Sequence, residues 1–98
     1  MIFAVFQGTE MTPATYEKVR TDLIDAGYAF PDGLVQHLSG WTDHGYCIVD
    51  IWEDVDKLVE FAKVLFPILD RNGIPPVVPR VYPVHDAYRM NERPVVVG

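Results

Sequence analysis

Residues Gly45 to Glu53 read GYCIVDIWE. Successive strand residues point to opposite faces. One alternate set is Cys47, Val49 and Ile51; the other is Tyr46, Ile48, Asp50 and Trp52. An antiparallel sheet in a small domain usually keeps one face polar. Here both sets are bulky, and the second carries a single carboxylate. A strand with no wet face needs cover on both sides. The chain is short, so the expected cover for one side is a second copy of the same sheet. The enclosed space would then have Asp50 and Trp52 in its wall.

Working outward, Thr42-Asp43-His44-Gly45 has the chemistry of a hairpin connection, preceded by a strand over Leu34 to Trp41. Ile2 to Gln7 is a short apolar strand bounded by Gly8. Thr12 can cap a helix whose first position is Pro13. Tyr16, Val19, Leu23 and Ala26 make its apolar stripe, and Gly27 ends it. Asp54 caps a second helix with Val55, Leu58, Ala62, Leu65 and Leu69 on one face, widened by Val59, Phe61 and Phe66. Pro67 is expected to kink or interrupt it, and Asn72-Gly73 ends it. A fourth strand is expected over Val77 to His85, demoted to an edge or an irregular strand by Pro79 and Pro83. Residues 1–85 form one domain and residues 86–98 a tail outside the core, polar until Val95-Val96-Val97.

The order β-α-β-β-α-β predicts an α+β, ferredoxin-like fold. Its four-stranded antiparallel sheet has two helices on one face, and a second copy on the other completes an α/β barrel.

Length and composition bound the function. The chain has 98 residues, enough for one domain, and its 49% apolar content is that of a globular protein. Eight basic against fourteen acidic residues give a formal charge of −6. That balance argues against nucleic acid and anionic membranes as partners, since both need basic patches. The single cysteine, Cys47, reads as a buried apolar side chain rather than a nucleophile. Ile2 to Phe6 is too short for a signal segment, and no apolar run reaches the roughly 18 residues that span a bilayer. A cytoplasmic location is expected. The three histidines show no metal-site spacing, and neither a phosphate-cradling glycine loop nor a nucleophile elbow is present.

The element order, the segment IVDIWED leading into a helix with Phe61, and the late PVVPRVYPVHD strand resemble the dimeric α/β-barrel superfamily, which includes antibiotic-biosynthesis monooxygenase-like proteins. Within it the chain resembles small actinobacterial members without an assigned activity. The resemblance covers roughly residues 1–85. It implies a homodimer, and for some members cofactor-independent oxygenation of polyphenols or quinols. In the haem-degrading branch an asparagine, a tryptophan and a helix histidine form the site. Gln7 and Trp52 fall at the first two positions, but the helix from Asp54 to Asp70 has no histidine. Haem degradation is therefore not expected, and no metal or cofactor is assigned.

A hairpin loop with an even number of residues pairs Trp41 with Tyr46, His37 with Asp50 and Val35 with Trp52. Directly opposed side chains lie about 4.5–5.5 Å apart at Cβ. His37 and Asp50 would thus be in hydrogen-bond reach on the barrel side, the geometry of a base and its orienting partner. The same pairing also serves a purely structural end, because a buried polar group must find a partner. Trp52, Tyr46, Gln7 and Val35 are the expected substrate contacts, with Trp52 an aromatic wall for a planar ligand. Simple packing of Trp52 is the competing reading. His85 belongs either at the barrel mouth or on the surface, and His44 in solvent. Two functions follow, set against a third reading in which the interior is fully packed and holds no cavity. One is a small-molecule-binding homodimer acting as a cofactor-free monooxygenase on an aromatic or polyketide-like substrate. The other is a non-catalytic dimer that binds a ligand or stabilises a partner.

Overall fold

The computed structural model describes residues 1–87. The tail run Val95-Val96-Val97 lies outside them. The elements are β1 (Ile2–Gly8), α1 (Pro13–Asp25), β2 (Leu34–Thr42), β3 (Gly45–Trp52), α2 (Val55–Arg71) and β4 (Arg80–Pro83). The sheet is antiparallel with order β2-β3-β1-β4, so the expected ferredoxin-like topology is observed.

Local chemistry accounts for the element ends. Thr12 Oγ1 accepts from the Thr15 N–H at 3.2 Å, with Pro13 opening α1. Asp54 Oδ1 accepts from the Lys57 N–H at 2.9 Å at the start of α2. The helical assignment of α2 runs through Pro67 without a break, so an interruption there is not observed. β4 is shorter than Val77 to His85. It pairs with β1 only over Arg80–Pro83, at the sheet edge, as prolines on either side of a short ladder allow.

The Asp43-His44 loop joins a ladder that closes on Thr42 opposite Gly45. Gly45 has φ +124°, and a Cβ there would run into the Gly8 backbone. The even loop gives the expected pairs Trp41 with Tyr46 and His37 with Asp50. One pair differs. A bulge between Leu34 and Gln36 places Leu34, not Val35, opposite Trp52. Val35 is left exposed.

The core lies between the sheet and the helices. It holds Ala4, Phe6, Val19, Tyr46, Trp52, Leu58, Ile68 and Leu69. The expectation for the two faces of β3 is reversed. Tyr46, Asp50 and Trp52 lie on the helix side, while Cys47, Val49 and Ile51 occupy the open side with Phe3, Val5 and Leu38. The reason is packing. The large aromatics of β3 remove the most apolar area when the chain's own helices cover them. β1 sets small residues against two of the inward positions, Asp50 and Tyr46, with Ile2 opposite Trp52. Ala4 lies opposite Asp50 and Gly8 opposite Tyr46, and a Cβ on Gly8 would meet the Tyr46 hydroxyl at 2.8 Å.

On α2 the buried stripe centres on Leu58, Ile68 and Leu69, with Phe61 and Leu65 beside it. Val55 and Val59 are exposed. The helices are pinned to each other near their C-terminal ends. Asp22 accepts from Lys18 Nζ at 2.7 Å and from Asn72 Nδ2 at 3.0 Å, with Arg71 3.7 Å away.

Candidate functional site

His37 lies on the edge strand β2 and Asp50 on the adjacent β3. Both point toward the helices. The His37 Nδ1 and Asp50 Oδ1 atoms are 2.5 Å apart. The Asp50 side chain is 9% exposed and that of His37 is 37% exposed. A carboxylate this covered needs a donor, and His37 supplies it. With Asp50 ionised, the bond requires the proton on Nδ1. That leaves Nε2 as an acceptor.

Tyr16, on α1, fills that acceptor position. Its hydroxyl lies 2.7 Å from His37 Nε2. The two rings are nearly parallel, 17° between planes, with centroids 6.2 Å apart. Trp41 meets the Tyr16 ring edge-on at 5.7 Å, and its own Nε1–H donates to the Met11 carbonyl at 3.0 Å. The result is a chain of hydrogen bonds from a covered carboxylate, through an imidazole, to a phenol on a helix. By spacing alone Tyr16 belongs to the apolar stripe of α1. The available signal was that a stripe tyrosine brings a hydroxyl that needs a partner, and His37 is one.

The remaining expected contacts do not assemble around this chain. Trp52 and Tyr46 share its side of the sheet but are buried. Burial pushes the Tyr46 phenol above its ordinary pKa, with the negative charge of Glu10 adding to the shift. Trp52 is 0% exposed and packs on Phe61 at 5.4 Å. Its Nε1–H has no hydrogen-bond partner among the described residues. Gln7 faces the other way. Its Oε1 accepts from Arg80 at 2.6 Å, and its amide lies 3.9 Å from Cys47 Sγ, both on the open side. Gln7 therefore cannot act with Trp52 on one ligand within a subunit. Val35 is displaced by the bulge. His85 is almost fully exposed beyond β4, close to Asp86. Cys47 is only partly covered, not packed beneath the helices.

A cleft of about 190 Å³ opens between the α1–β2 loop and α2. Tyr28, Asp32, Lys57, Glu60 and Phe61 line it. Phe61 separates it from Trp52, so Trp52 is one ring behind the wall. Lys57 Nζ and Asp32 Oδ2 are 2.6 Å apart at this cleft, and the bond to Asp32 raises the Lys57 pKa. Among the described residues no cluster of three His, Cys, Asp or Glu side chains suits a metal ion. Nor is any described helix long and apolar enough to cross a membrane.

No family model and no curated protein matches the chain. A solved structure does. It is a provisionally assigned antibiotic biosynthesis monooxygenase from Deinococcus radiodurans, similar with a TM-score of 0.57 and 13% identity. The match covers 92% of this chain and 98% of that one. At that identity the likeness shows a common fold.

Proposed function

We propose that this chain is a homodimeric, small-molecule-binding α/β barrel whose His37–Asp50 pair serves as a proton acceptor for an aromatic or polyketide-like substrate. The reaction is cofactor-independent and monooxygenase-like. The observation that carries it is the 2.5 Å contact between Asp50 and His37, with the far side of the imidazole directed at a phenol instead of hydrocarbon. The fold shared with the Deinococcus radiodurans protein supports the same reading.

Removing the proton from a phenol or enol raises its electron density, which is what reaction with dioxygen requires. Asp50 holds the imidazole tautomer with Nε2 free of its own proton, and the carboxylate neutralises the imidazolium that forms. His37 keeps part of its surface toward solvent at the sheet edge, while its acceptor nitrogen is in contact with the Tyr16 hydroxyl. Trp52 and Tyr46 are buried between sheet and helices, so their part is to hold the sheet rigid beside the pair and not to touch substrate.

The dimer draws on the open sheet face. Phe3, Val5, Val49, Ile51 and Leu38 lie there, and neither described helix covers them. A second copy covers that surface sheet to sheet, with Gln7 and Arg80 toward its rim. The expected location is cytoplasmic. A non-catalytic dimer that binds a ligand or stabilises a partner is the second reading. It is favoured by the fact that His37 already has both ring nitrogens bonded within the fold.

Oxygen uptake by the purified dimer with a dihydroxynaphthalene, without added metal or flavin, separates the two. Catalysis predicts uptake above the protein-free rate, with His37→Ala lowering it by roughly 10²–10⁴-fold. Uptake equal to the blank rules out the oxygenase reading.

A further inference from the structure

We infer that Tyr16, not His37, is the group that meets the substrate. In this arrangement the site recognises a phenolic or enolic hydroxyl through the Tyr16 oxygen. The inference rests on the proton-abstraction reading above and deepens it.

The argument is one of access. A substrate proton bound for His37 must reach Nε2, because Nδ1 faces Asp50. The Tyr16 hydroxyl already occupies the Nε2 direction at 2.7 Å. A substrate must therefore displace Tyr16 or work through it. Displacement is opposed by the surroundings. The Tyr16 ring packs nearly perpendicular to Trp41 and its hydroxyl is tied end-on to His37, and Trp41 is itself bonded to the Met11 carbonyl. Tyr16 also sits in the first turns of α1, where Thr12 and Pro13 fix the backbone. Its own amide donates to the Thr12 carbonyl at 2.9 Å.

The chemistry of the phenol permits the second route. A tyrosine hydroxyl has one proton to donate and lone pairs to accept with. Donation to Nε2 leaves an acceptor for an incoming O–H. The substrate hydroxyl gives its proton to the Tyr16 oxygen while the Tyr16 proton passes to His37 Nε2. The products are a substrate oxyanion, a neutral Tyr16 and an imidazolium beside the Asp50 carboxylate. Tyr16 then donates its new O–H to the oxyanion, so the same atom that relays the proton stabilises the charge left behind. An amine or an aliphatic ketone offers no acidic O–H to this oxygen, which restricts the substrate to phenols and enols.

The test uses a naphthol, whose neutral and anionic forms absorb at different wavelengths. Its binding and its ionisation are then read separately on the intact protein. Wild type is expected to bind naphthol and enrich the bound naphtholate. Tyr16→Phe keeps the ring, so affinity should hold, while bound naphtholate falls at least about tenfold, the equivalent of one pKa unit. His37→Ala should lose the naphtholate as well. If wild type binds no naphthol or leaves it neutral, the proton-abstraction reading fails and this inference fails with it. If His37→Ala loses the naphtholate but Tyr16→Phe keeps it, only the Tyr16 role is overturned. Should Tyr16→Phe not fold, fluorotyrosine placed at position 16 retains the hydroxyl and the packing. Its more acidic phenol is a stronger donor to the oxyanion, so the bound naphtholate fraction should rise, and a fraction no higher than with tyrosine overturns the Tyr16 contact.

Discussion

The Asp50 carboxylate and the His37 imidazole meet at 2.5 Å across the β2–β3 ladder, beneath α1 and not on the open side of the sheet. The hairpin sets their pairing and the helices set their surroundings. Asp50 is covered on the protein side, whereas His37 keeps an edge toward solvent. A pair split in this way can hold a charge inside and pass a proton outward.

Replacing Asp50 with Ala should destabilise the fold by about 1–3 kcal/mol, the cost of leaving a hydrogen-bonding group without its partner. The lower end is expected, because His37 can turn its Nδ1–H toward water. Asp50→Asn retains an acceptor and should cost less. Urea unfolding of the two variants checks the order, and equal stability in all three proteins would show that the bond contributes nothing.

Asp22 gives the fold an acid-sensitive tie. Its carboxyl is held below the ordinary aspartate value by the Lys18 hydrogen bond first and the Asn72 hydrogen bond second, with burial opposing them. A lowered folded-state value means stability that is present above the unfolded value and lost as pH falls through the folded one. The window lies below about pH 4, the usual aspartate range. Asp22→Asn should flatten the decline of melting temperature in that window and leave its shape at neutral pH unchanged. A wild-type curve that is already flat there contradicts the assignment.

Much of this fold was legible because local signals agreed. Thr12-Pro13 and Asp54 marked helix starts, and the even loop at Asp43-His44 placed His37 opposite Asp50. The sidedness of β3 was not legible from β3 itself. Both of its alternate sets are apolar, and parity says which residues share a face without saying which face is covered. The deciding information was in the neighbours: Gly8 and Ala4 on β1 make room for Tyr46 and Asp50, and Tyr16 on α1 needs a polar partner below it. The bulge at Val35 left no mark in composition, so the Val35–Trp52 pair was misplaced by one residue. The site is therefore legible as a pair and illegible as a pocket.

Gly45 closes the hairpin that sets this register. Its φ of +124° strains any L side chain, and the Gly8 backbone occupies the space of a Cβ. Gly45→Ala should cost at least about 1–3 kcal/mol from the strained conformation alone. Gly40, on the same ladder, has no atom of the described residues within 4 Å of its Cβ position, so Gly40→Ala is the matched control. Calorimetry should show a clear fall in melting temperature for the first and little change for the second. Similar values for both would mean that the turn can rearrange.

The open sheet face makes the last prediction, and Cys47 reports on it. Cys47 lies on that face beside Val49 and Ile51, next to the Gln7 amide. If a second copy covers the face, the interface should bury more than about 2,000 Å² in total, as stable homodimers of this apolar character do. The thiol should then react slowly with an aromatic disulfide reagent at micromolar protein. Val49→Asp places a carboxylate in the middle of the apolar patch, between Leu38 and Val5 in the ladder. Pairing two such faces would bury two like charges, so the variant should sediment as a monomer and its Cys47 should label quickly. The core beneath the helices does not include Val49, so the variant should keep its helical circular dichroism. Wild-type protein that sediments as a monomer and labels as fast as Val49→Asp would remove the dimer and the barrel with it.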